Sequence, residues 1–324
     1  MSEPLKRQTV LVTGAGGPAG VSVIQALRAL GHATVGADAS ADAVGIRLAD
    51  AGGVLPRAED ADYASALCTL AAEHGVTSLI PTVAEELVAL HDCSGVLSAA
   101  GIAYWLPSPR AVVSCTDKWL FHQAATAAGT AVPETALGTT EGVTGPWVIK
   151  PRHGRGSRDI YFSDDADEVA ELVSLVPDPL VQHRLSGSEF TVDALVDERG
   201  RLAAAVPRWR LETKAGISTL GETFVDDAVT QGVGALLGAL GHTGPANVQG
   251  FAADAPAGGG RQVVFTEVNP RFSGGLPLSI AAGADLVGQY LRGMLGLGLE
   301  AERLGFLPGV RMYRYFAEIF EGPA

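Results

Sequence analysis

The segment FTEVNPRFSGG, residues 265–275, carries a carboxylate and an amide two positions apart, Glu267 and Asn269, in an otherwise apolar run. In a strand, residues i and i+2 project to the same face, so these side chains stand side by side. Val264, Phe265 and Val268 favour a strand, and Pro270, which has no N–H for a ladder, ends it. A buried carboxylate without a partner is costly. Two partners answer that cost. One is a hard cation such as Mg²⁺, which takes one or two carboxylates and completes its shell with phosphate oxygens. The other is an ion pair, with Arg271 as the nearest candidate. Upstream, ANVQGFAAD puts Gln249 on a strand that can pair with this one through the short loop APAGGG, residues 255–260.

Cations gather ahead of this strand. In GPWVIKPRHGRGSRDIYF, Lys150 shares a face with Val148 on a strand that Pro151 stops, and a buried lysine is rare without an anion. The following loop, Gly154, Arg155, Gly156 and Ser157, can aim several backbone N–H groups inward, with Arg155 and Arg158 adding charge. Such a loop cradles phosphates, although a solvated hairpin tip has the same composition. LVQHRLSGSEFTVDALVD reads strand, bend at Ser186 and Gly187, then a strand with Glu189 near its start. Backbone groups in such a linker can meet an adenine edge, and a carboxylate a few residues on can take both ribose hydroxyls. VPRWRLETKAG adds Arg208, Arg210 and Lys214, and DKWLFHQAATAAG is a helix that opens with Asp117 and Lys118.

The N-terminal third supplies a different scaffold. TVLVTGAGGPAGVSVIQALRALGHATVGADAS reads strand, glycine turn, helix, strand: Leu11 and Val12 are strand residues, Val23, Ile24, Leu27 and Leu30 recur at helical spacing, and Gly31 ends the helix. A helix near 62–74 and a strand at 76–82 continue a doubly wound α/β pattern, whose ligands bind at the carboxyl ends of the strands. Gly14, Gly16 or Gly17, Gly20 and Asp38 match a dinucleotide fingerprint loosely. A glycine turn before a helix suits any anion, however, and no hydride-transfer site follows. Glu85 and Glu86 sit at the same sheet edge, either to hold an amino group or as first-turn acids of a helix at 84–92.

The chain has 324 residues, 47% of them apolar, enough to core two or more domains. No apolar run reaches spanning length and no basic leader opens the chain, so a cytoplasmic protein without a membrane partner is expected. A net charge of −13, spread over both halves, argues against a nucleic-acid surface and leaves room for one basic cleft. Cys68, Cys93 and Cys115 are scattered and read as buried free thiols.

Together the strand FTEVNPRFSGG, the upstream VQGF, VIKP with its Gly/Ser loop, and SGSEF resemble the ATP-grasp ligases, in the branch similar to the large chain of carbamoyl-phosphate synthase. The resemblance covers essentially the whole length. It implies a pre-ATP-grasp α/β domain with a doubly wound parallel sheet at 1–110. A two-lobed α+β ATP-grasp fold follows, its small lobe at 111–185 and its large lobe at 186–324. It implies ATP bound by Lys118, Lys150, the loop Gly154, Arg155, Gly156 and Ser157, the segment Gln182, His183 to Leu185 at the adenine edge, Glu189 at the ribose, and Lys214, with Arg208 or Arg210, at the phosphates. Gln249, Glu267 and Asn269 would hold Mg²⁺, with Arg271 and Lys150 as catalytic charges. Gln249 stands where many members have an acid, and Gln182 where many have glutamate. The implied reaction joins a small carboxylate to an amine through an acyl phosphate, giving ADP and phosphate, with homodimerisation open. The walls of the substrate site would be the glycine turn, Glu85, Glu86, residues 273–275 and the tail with Arg314 and Glu318. A chain this compact argues against a biotin carboxylase or a full carbamoyl-phosphate synthase. The other readings are a nucleotide-responsive module without ligase activity and an NAD(P)-dependent oxidoreductase.

Overall fold

A computed structural model describes residues 5–154, 159–254 and 261–322. The chain opens with β1 (Thr9–Thr13), α1 (Pro18–Ala29), β2 (Ala33–Asp38), α2 (Val44–Leu48), β3 (Ala51–Val54), α3 (Tyr63–Glu73) and β4 (Ser78–Pro81). These strands form a parallel sheet in the order β3-β2-β1-β4. Alternate residues of β1 face opposite layers, as strand geometry demands. Leu11 packs with Leu79 against Leu67 and Leu70 of α3, while Val10 and Val12 pack against Val23, Ile24 and Leu27 of α1. Helices thus cover both faces.

Four helices follow: α4 (Glu86–Asp92), α5 (Ser94–Ala99), α6 (Pro109–Thr116) and α7 (Lys118–Ala127). Asp117 caps α7 by accepting from the N–H groups of Trp119 and Leu120, which fixes where Lys118 begins the helix. A small antiparallel sheet, order β5-β8-β6-β7, comprises β5 (Thr135–Leu137), β6 (Trp147–Pro151), β7 (Tyr161–Ser163) and β8 (Pro179–His183), with α8 (Ala166–Leu175) packed on it.

The remaining strands are β9 (Ser188–Val196), β10 (Leu202–Lys214), β11 (Ile217–Thr223), β12 (Gly244–Asp254), β13 (Arg261–Asn269) and β14 (Arg311–Tyr313). They form one antiparallel sheet in the order β13-β12-β9-β10-β11-β14. One face is covered by α9 (Asp227–Ala239), with Cys115 of α6 and Phe121 and Ala125 of α7 in the same core. The chain also contains α10 (Leu276–Ala281), α11 (Leu286–Met294) and a 3₁₀ turn at Ala301–Arg303. α11 returns to the N-terminal sheet: Leu286, Tyr290 and Leu291 share a core with Val10, Val12 and the residues of α1. Tyr290 stacks on Trp105 at 5.2 Å between ring centres and donates its hydroxyl to the Trp105 carbonyl. The first and last thirds of the chain are therefore one packed body.

Among the described residues no helix is long and apolar enough to cross a membrane. All three cysteines are free; Cys93 and Cys115 are buried as expected, while Cys68 is only half buried.

Candidate functional site

The large sheet sets polar side chains in a line. Across β13, β12, β9 and β10, Glu267 is opposite Gln249, Gln249 opposite Thr191, and Thr191 opposite Arg208. Opposed residues project to the same side of a sheet, and three strand spacings make the line about 14 Å long. The next row on that side holds Asn269, Asn247 and Asp193. All of these except Asp193 line a cleft of about 760 Å³. Lys118, Lys150 and Arg271 line it too, as do Gly14 and Glu85 from the carboxyl ends of β1 and β4. The sequence-derived pairing of the Gln249 and Glu267 strands is present, with the two residues directly opposite.

Within the trio, Asn269 Nδ2 donates to Glu267 Oε1 at 2.6 Å, and Arg271 Nη2 donates to Asn269 Oδ1 at 3.1 Å. Arg210 Nη1 donates to Gln249 Oε1 at 3.3 Å. Both amide oxygens are thus already turned towards a cationic group, the orientation that a hard metal ion needs. No cluster of three His, Cys, Asp or Glu side chains able to hold a metal exists among the described residues. With one carboxylate and two amide oxygens, the set fits an ion that brings further ligands on phosphate oxygens.

Lys150 closes the cleft from the small sheet. Its Nζ donates to Gln182 Oε1 at 2.8 Å, and Gln182 Nε2 donates to Thr135 Oγ1 at 2.9 Å. A neutral amide satisfies the ammonium without cancelling its charge. Burial pulls the Lys150 pKa down to about 8, Glu267 opposing the shift and Lys118 adding to it. An anion that prefers the charged amine therefore binds best below pH 8 and more weakly as pH rises through that value, with proton uptake on binding. A nucleotide bound at Lys150 should lose about tenfold in affinity between pH 7 and pH 9, a loss absent in Lys150→Met. Calorimetry in two buffers of different ionisation enthalpy checks this; a flat wild-type profile would remove Lys150 from the anion site.

Lys118 Nζ donates to Gly154 O at 3.0 Å, so the helix lysine holds the entrance of the glycine loop. Arg155, Gly156, Ser157 and Arg158, like the loop 255–260, lie outside the described residues. Sequence reasoning missed the anchor of that entrance: Arg152 grips the capping carboxylate of Asp117 with Nε at 2.9 Å and Nη2 at 2.6 Å. The two residues are 35 positions apart, and only the fold brings them together.

The expected adenine side is not part of the cleft lining. Gln182 points to Lys150, His183 Nδ1 meets Thr144 O at 2.7 Å, and Leu185, Glu189 and Lys214 do not line the cavity. The N–H groups of His183 and Arg184 are taken by Glu134 O and Pro146 O. Glu189 pairs with Arg210, and Lys214 is exposed at a hairpin whose next residues, Ala215 and Gly216, reach the cleft.

At the N-terminal wall, Gly14 has φ +65°, and a Cβ there would meet Val83 Cγ2 at 2.3 Å. The Gly16 N–H, which a dinucleotide phosphate would need, donates to Asp38 Oδ2 at 2.8 Å. Asp38 caps the turn. Glu86 lies in the first turn of α4 and accepts from Thr13 Oγ1, whereas Glu85 lines the cleft. From the tail, Arg314 donates to Ser218 O and Gly274 O and does not line the cavity.

A buried ion pair that the sequence did not reveal ends the line at Arg208. Arg208 Nη2 donates to Asp193 Oδ1 at 2.9 Å and to Ser273 Oγ at 3.1 Å, while Ser279 Oγ donates to Asp193 Oδ2 at 2.5 Å. Gly275 packs closely beside it: a Cβ there would stand 2.2 Å from Arg208 Nη1 and would push the guanidinium aside.

Residues 176–313 match a family model described as ATP-grasp in the biosynthetic pathway with Ter operon. No curated protein matches the chain. Among solved structures, it is similar to the biotin carboxylase βγ-ATP complex from Campylobacter jejuni (TM-score 0.71, 15% identity, 93% of this chain and 74% of that one). It is similar to N5-carboxyaminoimidazole synthetase from Staphylococcus aureus complexed with ADP (TM-score 0.71, 16% identity, 95% and 81%). A third is phosphoribosylglycinamide synthetase from Anaerococcus prevotii (TM-score 0.64, 15% identity, 90% and 76%).

Proposed function

We propose that this chain, an ATP-grasp protein by its fold and by the family model over residues 176–313, is an ADP-forming ligase that joins a small carboxylic acid to an amine. The observation that carries the reading is one cleft in which Glu267, Asn269 and Gln249 of the large sheet face Lys150 and Lys118. The ADP and βγ-ATP in two of the similar structures support an adenine nucleotide here.

Glu267, Asn269 and Gln249 would hold Mg²⁺, which when bound neutralises charge between the β- and γ-phosphates. Lys150 and Arg271 offset the charge that develops on the transferring phosphoryl group, and Lys118 holds Gly154 at the start of the glycine loop. A substrate carboxylate oxygen attacks the γ-phosphorus, ADP leaves, and the acid becomes an acyl phosphate. An amine nitrogen then attacks the acyl carbon and phosphate departs, giving the amide. Glu85, which lines the same cleft, would hold the amine. The acyl phosphate is prone to hydrolysis, so a covered cleft has a chemical purpose.

Mg·ATP presented with mixtures of carboxylic acids and amino acids should release phosphate. Silence across a broad panel, with ADP binding intact, would favour a nucleotide-responsive module instead. NADPH should give no fluorescence change on titration, because Asp38 already takes the N–H of the glycine turn; a saturable change would move the function to the dinucleotide class.

A further inference from the structure

Arg210 lies two residues beyond Arg208 on β10, on the same side of the sheet. Its guanidinium joins three parts of the cleft. Nη1 pairs with the Glu189 carboxylate and donates to Gln249 Oε1 at 3.3 Å, while Nη2 donates to Gly216 O at 2.9 Å. Two of these partners are the residues assigned above to a ribose and a metal ion, and the third is the backbone of the β10–β11 hairpin. The tip of that hairpin is exposed and irregular. Residues 211–216 are exposed throughout, the β10–β11 register slips twice between Arg210 and Thr213, and Ala215 has φ +49°. Exposed hairpins with few buried contacts open at low cost. Ala215 and Gly216 nevertheless line the cleft, so the hairpin already leans over it.

We propose that Arg210 couples nucleotide occupancy to this hairpin: a nucleotide that takes Glu189 with its ribose and Gln249 with its metal releases the guanidinium from both, and the hairpin closes over the phosphates. The coupling rests on the nucleotide reading above. Ribose hydroxyls need both oxygens of Glu189, and a divalent cation on Gln249 Oε1 repels a guanidinium at the same atom. The freed planar fork is suited to phosphate oxygens, and the hairpin carries Lys214 in the same direction. The pair also serves Glu189, whose carboxyl is pushed up by burial and held back by Arg210.

Limited trypsin digestion of the full chain, scored by the fragment ending at Lys214, tests this with MgADP as the probe. In the wild type, MgADP should slow that cleavage about tenfold. In Arg210→Met the cleavage should no longer respond to MgADP, and Arg210→Lys, which keeps the charge without the fork, should respond in part. Adenosine, which has no phosphates to attract Arg210, should bind Arg210→Met roughly three- to tenfold tighter than wild type, because Glu189 is no longer engaged. Undiminished protection of Lys214 in Arg210→Met, or unchanged or weaker adenosine binding, would overturn the coupling while leaving the nucleotide reading in place. Failure of the wild type to bind MgADP at all would remove both.

Discussion

Glu267→Gln is expected to abolish the Mg²⁺-dependent part of nucleotide binding and to lower turnover on the order of 10²-fold or more, with the fold intact. Glu267 is the one carboxylate of the trio, so it alone offers a formal charge to the ion. Glutamine has the same shape and can still accept from Asn269 Nδ2, a contact of 2.6 Å in the wild type. It sits half buried at the end of the row, away from the Phe190 and Val248 core, so its loss opens no cavity. The check is calorimetric titration of ADP with and without Mg²⁺, beside thermal unfolding. Wild-type protein should bind ADP more tightly with the metal present, and the variant should show no difference. A variant that keeps the metal-dependent gain would show that the ion lies elsewhere.

Asp193→Asn should be among the most destabilising substitutions in the chain. Asp193 and Arg208 have side chains only 4% and 2% exposed, and their charges compensate each other at 2.9 Å. Removing one charge leaves the other buried without its counter-ion, at a cost of about 3 to 5 kcal/mol. The unfolding midpoint should fall on the order of 10 °C. Replacing both, Asp193→Leu with Arg208→Met, should recover much of that loss, because an apolar pair needs no compensation. Denaturant unfolding of the two variants decides it. A double variant no more stable than Asp193→Asn would show that the loss comes from the hydrogen bonds to Ser273 and Ser279 and not from an uncompensated charge.

Much of the fold was legible because local patterns agreed with it. The period of β1 and α1, the Asp117 cap and the stop at Pro270 are decided within a few residues of chain. The neighbourhood of Glu267, Asn269 and Gln249 was legible for a similar reason: two adjacent strands fix it through one register. What stayed hidden needs contacts between distant segments. Arg208 meets Ser279 through Asp193, and Asp38 reaches back to Gly16, only after the sheets have formed. Composition also misled at Cys68, whose place on a helix edge leaves it half exposed. Around the expected adenine edge the sequence placed a strand, present as β8, but it could not foresee that Gln182 would satisfy Lys150 or that His183 would turn to Thr144.

The packing of α11 onto β1 and α1 bears on how such a chain can be made. The first sheet is complete once residue 81 has been synthesised, yet the layer that shields Val10 and Val12 includes Leu286 and Tyr290. At ordinary translation speeds that delay is roughly 10 to 40 s, during which an oily flank of the nascent sheet stays wet and open to wrong partners. Stable assembly is thus a late event, sealed only when α11 reaches β1 and α1.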